Sequence, residues 1–277
     1  MTIIRFHHEM YKNRTLFWLA LPLLFVLTTI GCKHKPTMQE MGVVLDTLVA
    51  DTTAVLSDSA TQARCQISLQ LLTFANKEYL SLNDSLLHAD ILSPDYLSLS
   101  GKHFSPREAV DSFVRRYVED YREFYSGIYA DEANAEAASI SYKATATLEE
   151  GKDSILNYVA QISNSQGSVS TDYRVCLNLD LPTKRILRLE DVFVHGAEKG
   201  LADAITAKLQ SQASVKSLEE LRQAGFFVNS EPYATQNFIL KDRTTTFVYV
   251  MGEIADRSKG EIEVEVKNAD IKPLFKR

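Results

Sequence analysis

NFILKDRTTTFVYVMGEIADRSKGEIEVEV, residues 237–266, alternates apolar and polar side chains over three runs, 237–241, 245–251 and 261–266. A period of two is the signature of strands with one buried face, so the end of the chain reads as a small antiparallel sheet. Glu261, Glu263 and Glu265 alternate with Ile262, Val264 and Val266. That spacing puts the three acids on one face, away from the core, where they serve solubility and guard an edge rather than forming a catalytic pair. Glu253 differs, because it follows the apolar run FVYVMG at the end of a strand, where loops reach a ligand.

Working outward, RCQISLQLLTF (residues 64–74) carries an apolar residue at every second place. HFSPREAVDSFVRRYVEDYREFY then predicts a helix, with Ser105 as N-cap, Pro106 at its first position and Glu108 completing a capping box. Val110, Phe113, Val114, Tyr117, Tyr121 and Phe124 form its apolar stripe, flanked by the four-apart pairs Arg115–Glu119 and Arg116–Asp120. Three alternating runs, 139–148, 154–163 and 170–180, form a meander divided by EEGKD and NSQGS. RILRLEDVF (185–193) is a short extended piece. GLADAITAKL sets Leu201, Ile205 and Leu209 on one helical face, and Ser217 with Glu220 caps a second short helix. Strands are grouped and helices are few. The predicted class is α+β, a mainly antiparallel sheet with one long amphipathic helix and two shorter ones.

The front of the chain is an address. Arg5, Lys12 and Arg14 precede the apolar run LFWLALPLLFVL (16–27), which is shorter than the about 20 residues a membrane span needs. It ends at Thr29-Ile30-Gly31-Cys32, which resembles a bacterial lipoprotein signal, with residues 1–32 as signal peptide plus an acylated Cys32. Lipid on Cys32 would anchor the protein to a membrane without crossing it. Lys33-His34-Lys35 follows the cysteine instead of acidic residues. Together these predict a lipid-anchored protein of the cell envelope, on the outer membrane and facing the periplasm. Residues 33–62, rich in Thr, Asp, Ser and Ala, are expected to be a flexible tether. The remainder divides into an α+β segment, 63–180, and a C-terminal segment, 181–277, packed together as one unit.

Charge and motif content narrow the chemistry. Removing residues 1–31 takes away three basic residues and one acidic one, lowering the formal charge from −6 to −8. An acidic domain has no electrostatic case for nucleic acid. Beyond Cys32 there are four histidines, His34, His88, His103 and His195, and none lies in a zinc-ligand spacing. No cofactor or metal is expected. G-x-S-x-G, S-x-x-K, G-x-G-x-x-G and Walker motifs are all missing from the mature sequence. Cys65 shares an apolar face with Ile67, Leu69 and Leu71, while Cys176 is in phase with Arg174, Asn178 and Asp180. The expectation is one buried and one half-exposed thiol, unpaired, and no catalytic residue is assigned.

LRLEDVF, NFIL, TFVY, EIA with Gly260 after it, IEVEV and IKPL occur in that order between Leu187 and Leu274. This arrangement resembles the extracytoplasmic domain of unknown function shared by RsiV-type anti-sigma factors and PdaC-like peptidoglycan deacetylases, with residues 63–180 similar to its companion domain. The resemblance implies binding of lysozyme, as in RsiV-type proteins, or a place beside a deacetylase domain whose histidine-rich metal signature this chain lacks. Gly252 stands where relatives carry a tyrosine before EIA. Residues 256–259 and 164–168 also depart from the family pattern.

Three readings follow: a non-enzymatic, envelope-anchored module binding cell-wall glycan (peptidoglycan) or an envelope protein; a lysozyme-binding sensor or inhibitor; and a cell-wall hydrolase with an unrecognised site. For binding, the candidates are aromatics outside the strongest core patterns, Tyr79, Tyr96, Phe227 and Tyr233, together with Glu253, because rings suit sugars and interface cores.

Overall fold

The computed structural model describes residues 37–56, 63–98, 104–126 and 135–276, so Cys32 and the signal segment lie outside the described residues. Among the described residues, nine strands fall into two sheets. β1 (Leu45–Val55), β2 (Arg64–Phe74), β3 (Ile140–Glu150), β4 (Ile155–Gln166), β5 (Val169–Asp180) and β6 (Arg185–Leu187) form one sheet in sequence order. Its neighbours are antiparallel except β2 and β3, which run parallel. β7 (Phe238–Leu240), β8 (Thr244–Tyr249) and β9 (Ile262–Lys267) form an antiparallel sheet of three. The class is α+β.

A parallel neighbour needs a crossover, and the chain supplies one with α1 (Leu80–Leu87) and α2 (Pro106–Ser126) between β2 and β3. The capping box at the start of α2 forms as its sequence predicts. The Ser105 N–H donates to Glu108 Oε2 at 2.9 Å and the Glu108 N–H to Ser105 Oγ at 3.4 Å. Val110, Phe113, Tyr117 and Tyr121 are buried, and the Phe113 ring lies 5.2 Å from Tyr142 of β3. This helix face against the six-stranded sheet makes the first core. Phe124, expected in that stripe, is 72% exposed. The stripe steps four residues from Tyr121 to Tyr125, whose rings lie 5.4 Å apart, leaving Phe124 to the side. Arg116 pairs with Glu119 at 3.6 Å, and Asp120 bonds the Tyr96 hydroxyl instead.

The expected tether needs correction. Its described part contains β1, paired with β2 over eleven positions from Leu45↔Phe74 to Val55↔Arg64. As an edge strand β1 buries little, only Leu48 and Ala54 among its side chains, so its sequence lacks a strong apolar stripe. Two arginines of α2 cover its outer edge: Arg107 donates to the Val49 carbonyl at 3.0 Å and Arg122 to that of Val55 at 3.4 Å.

The second core lies between α4 (Glu198–Ala213) and the three-stranded sheet. Leu201, Ile205 and Leu209 recur every four residues and are buried with Phe238, Phe247 and Val264. α3 (Leu189–Val192) and α5 (Leu218–Gln223) are single turns, α5 capped by Ser217 Oγ, which accepts from the Glu220 N–H at 3.1 Å.

The two sheets meet along β5. Asn178 donates to the Phe238 carbonyl and accepts from the Leu240 N–H, both at 2.8 Å. Where β6 ends, the Asn237 carboxamide accepts from the Cys176 N–H at 2.7 Å and donates to the Arg174 carbonyl at 2.9 Å. Cys176 is therefore 2% exposed, not half-exposed. Its face of β5 looks polar in sequence, but the second sheet covers it. Both thiols are free.

Candidate functional site

Three of the five residues singled out from the sequence come together. β8 ends at Tyr249, and the turn after it carries Glu253, whose Oε2 accepts the Val250 N–H at 2.8 Å. The loop into β7 brings Tyr233 across, so that its hydroxyl donates to Glu253 Oε1 at 2.6 Å. The Tyr249 hydroxyl donates in turn to the Tyr233 carbonyl. Tyr233 and Tyr249 are edge to face at 5.7 Å, and Phe227 meets both rings at 6.1 Å. Burial, then the bond to Glu253, raises the Tyr233 phenol above its ordinary range, so it stays a neutral donor.

Their exposures differ. Tyr233 is 38% exposed, whereas Phe227 is 1% exposed and belongs to the second core. Tyr79 is also buried, 5.0 Å from Phe74, and Tyr96 is half-buried against Phe113 at 5.8 Å. Of the four candidate aromatics, Tyr79 and Phe227 are therefore core residues and only Tyr233 is exposed. Tyr79 and Phe227 lie in short loop-like stretches that fold back onto a core, a burial no local periodicity announces. Glu253 closes its own turn and orients Tyr233, which accounts for both of its oxygens.

Tyr233 stands at the wall of a cleft of about 860 Å³, within the usual range for small-molecule sites. Phe193, Ala197 and Leu201 give it an apolar base, supplied by the segment before α4 and its first turns. Glu190, Glu198, Asp203, Glu231 and Gln236 line it with acceptors, and His195, Lys199 and Lys276 add donors. Two acceptors are held in place: Glu231 takes a bond from Arg222 at 2.7 Å and Glu190 one from Gln236 at 3.1 Å. Each carboxylate keeps further lone pairs for a ligand. None of these lining polar groups was singled out from sequence, because they come from separated segments and share no spacing.

Glu261, just before β9, and Glu263 within it also do more than meet water. Arg174 of β5 donates to both Glu261 and Glu263, and Glu261 is only 20% exposed at its side chain. These bonds hold the guanidinium proton more firmly than usual. The arrangement joins β9 to β5. Glu265 stays exposed. Burial pushes the Cys65 thiol up to about 11 and Cys176 to about 12, so neither supplies a thiolate near neutral pH. Among the described residues, no three His, Cys, Asp or Glu side chains gather as a metal-binding group.

An α+β chain whose aromatic-walled cleft is built from its C-terminal third is the class defined by this geometry. Residues 190–269 match the family model described as "Protein of unknown function (DUF3298)". A crystal structure of a DUF3298 family member from Bacteroides fragilis is similar, with a TM-score of 0.73 and 21% identity, covering 85% of this chain and 94% of that one. A DUF3298 family protein from Pseudomonas aeruginosa aligns with a TM-score of 0.59 and 14% identity, over 84% of this chain and 94% of that one. At these identities the likeness concerns the fold. No curated protein matches.

Proposed function

We propose that this chain is a non-enzymatic binding module of the cell envelope, tethered through an acylated Cys32 and taking cell-wall glycan in the cleft beside Tyr233. The observation that carries the reading is the Tyr233 ring, fixed at its hydroxyl by Glu253 and braced by Tyr249, at the wall of a cleft with an apolar base and bonded carboxylates. A fixed ring offers contact area at little entropic cost, and acceptors at the wall suit a polyhydroxylated ligand. The signal-like sequence ending at Cys32 and the resemblance of Leu187–Leu274 to RsiV-type and PdaC-like extracytoplasmic domains support an envelope location. The buried, protonated thiols favour binding over cysteine chemistry.

The test is co-sedimentation of the folded protein with purified peptidoglycan sacculi, beside a heat-unfolded control. Saturable pelleting of the folded form alone is expected, and Tyr233→Ala should weaken it about tenfold, the usual cost of truncating an aromatic anchor. Failure of the folded protein to pellet would sink the glycan reading. Direct complex formation with lysozyme would then be measured, the partner implied by the RsiV-type resemblance.

A further inference from the structure

A second cleft, of about 970 Å³, opens on the other side of Gln236, between α1, β5 and β6. Its charge is opposite to that of the first. Arg174, Lys184, Arg185 and Arg188 line it against one carboxylate, Asp90, in a chain of formal charge −6. Two of these cations are already committed: Arg174 bonds Glu261 and Glu263, and Arg185 reaches Asp191 at 3.2 Å. Lys184 is held loosely, 3.9 Å from Glu78. Arg188 is exposed and makes no ion pair among the described residues. An unspent guanidinium and a half-spent ammonium lining one cleft are a ready receptor for a carboxylate, which arginine can take through two parallel bonds.

The two clefts share one wall residue, Gln236, which lines both. Its carboxamide is pinned, accepting the Leu189 N–H at 3.0 Å and donating to Glu190 at 3.1 Å. Arg188 lies on one side and Glu190 on the other, two residues apart, which limits their Cα separation to about 7 Å. A ligand that crosses Gln236 would therefore meet both chemistries.

We infer that the clefts form one extended site for a glycan carrying free carboxylates, its uncharged ring on Tyr233 and its carboxylate on Arg188 and Lys184. This rests on the glycan reading of the first cleft and adds the charge of the ligand to it.

The experiment uses the full chain, purified in mild detergent, with three probes: soluble peptidoglycan fragments with free carboxylates, the same fragments with those carboxylates amidated, and neutral chitotetraose. Titration calorimetry reads the affinities, and the unfolding midpoint of each variant confirms that it is folded. The free-carboxylate fragments should bind about tenfold tighter than the amidated ones, the scale of one hydrogen bond to a charged group. Arg188→Ala should erase that preference, Lys184→Ala should reduce it, and Tyr233→Ala should weaken all three probes. Equal binding of both fragment types would overturn this inference and leave the glycan reading standing. So would a preference that survives in Arg188→Ala. Absence of binding by all three probes would overturn both.

Discussion

The carboxamide of Asn178 supplies to β7 the donor and acceptor that a neighbouring strand would, bonding the Phe238 carbonyl and the Leu240 N–H at 2.8 Å each. The same device recurs where Asn83 bonds both backbone groups of Phe74, and where Asn237 bonds the edge of β5. An asparagine side chain carries one peptide-like amide, so it can end or bridge a sheet where the backbone cannot continue. Asn178 is 1% exposed, and water would not readily replace its bonds. Asn178→Ala should therefore cost about 2–4 kcal/mol, since two buried backbone groups lose their partners. Urea unfolding measures it, and a midpoint unchanged from the parent would refute the bridging role. Nothing in the local pattern NLD around Asn178 distinguishes this residue from a solvated one. Its role depends on β7, sixty residues away in sequence.

At the scale of elements, the long helix and the inner strands were legible because their burial is periodic. β2 spans Arg64–Phe74, matching the alternation of its sequence, and α2 starts at its capping box. β1 was illegible for the converse reason: an edge strand of LDTLVADTTAV buries only two side chains, and its polar composition resembles a linker. It nonetheless pairs with β2 along its whole length and is bonded by Arg107 and Arg122. A chain beginning at Ala63 should leave β2 as a bare edge, lower the thermal midpoint and self-associate relative to one beginning at Lys33, because an unpaired apolar edge recruits other strands. Light scattering and thermal unfolding of the two chains decide the matter. Equal stability and equal monomer content would return the segment to the status of a tether.

For the whole molecule, alkaline pH is the sensitive side. Burial raises Cys65 from 9.0 to about 11, Cys176 from 9.0 to about 12 and Tyr121 from 10.0 to about 12. Each group ionises first in the unfolded chain, so its stabilising effect is whole below the unfolded value and is lost as pH rises toward the folded one. Stability should hold to about pH 9 and then fall, each buried thiol contributing about 1.4 kcal/mol per pH unit. Cys176→Ala should lose less than the parent between pH 9 and 11, by on the order of 2 kcal/mol. Urea midpoints across that range are the measurement. Parallel curves for the two proteins would show that Cys176 is not buried as described.

Sequence by itself determined the α+β class, the course of the long helix, most strand positions and the two apolar faces that became cores, because period and capping are local properties of the chain. It also brought Tyr233 and Glu253 forward, without showing that they are hydrogen-bonded to each other. Tertiary structure alone decided that Tyr79 and Phe227 are buried, that Cys176 lies under the second sheet, that Glu261 and Glu263 hold Arg174, and that two clefts of opposite charge meet at Gln236. Each of these depends on segments far apart in sequence closing on one another, and a polar residue reads as solvated until the partner that covers it is in place.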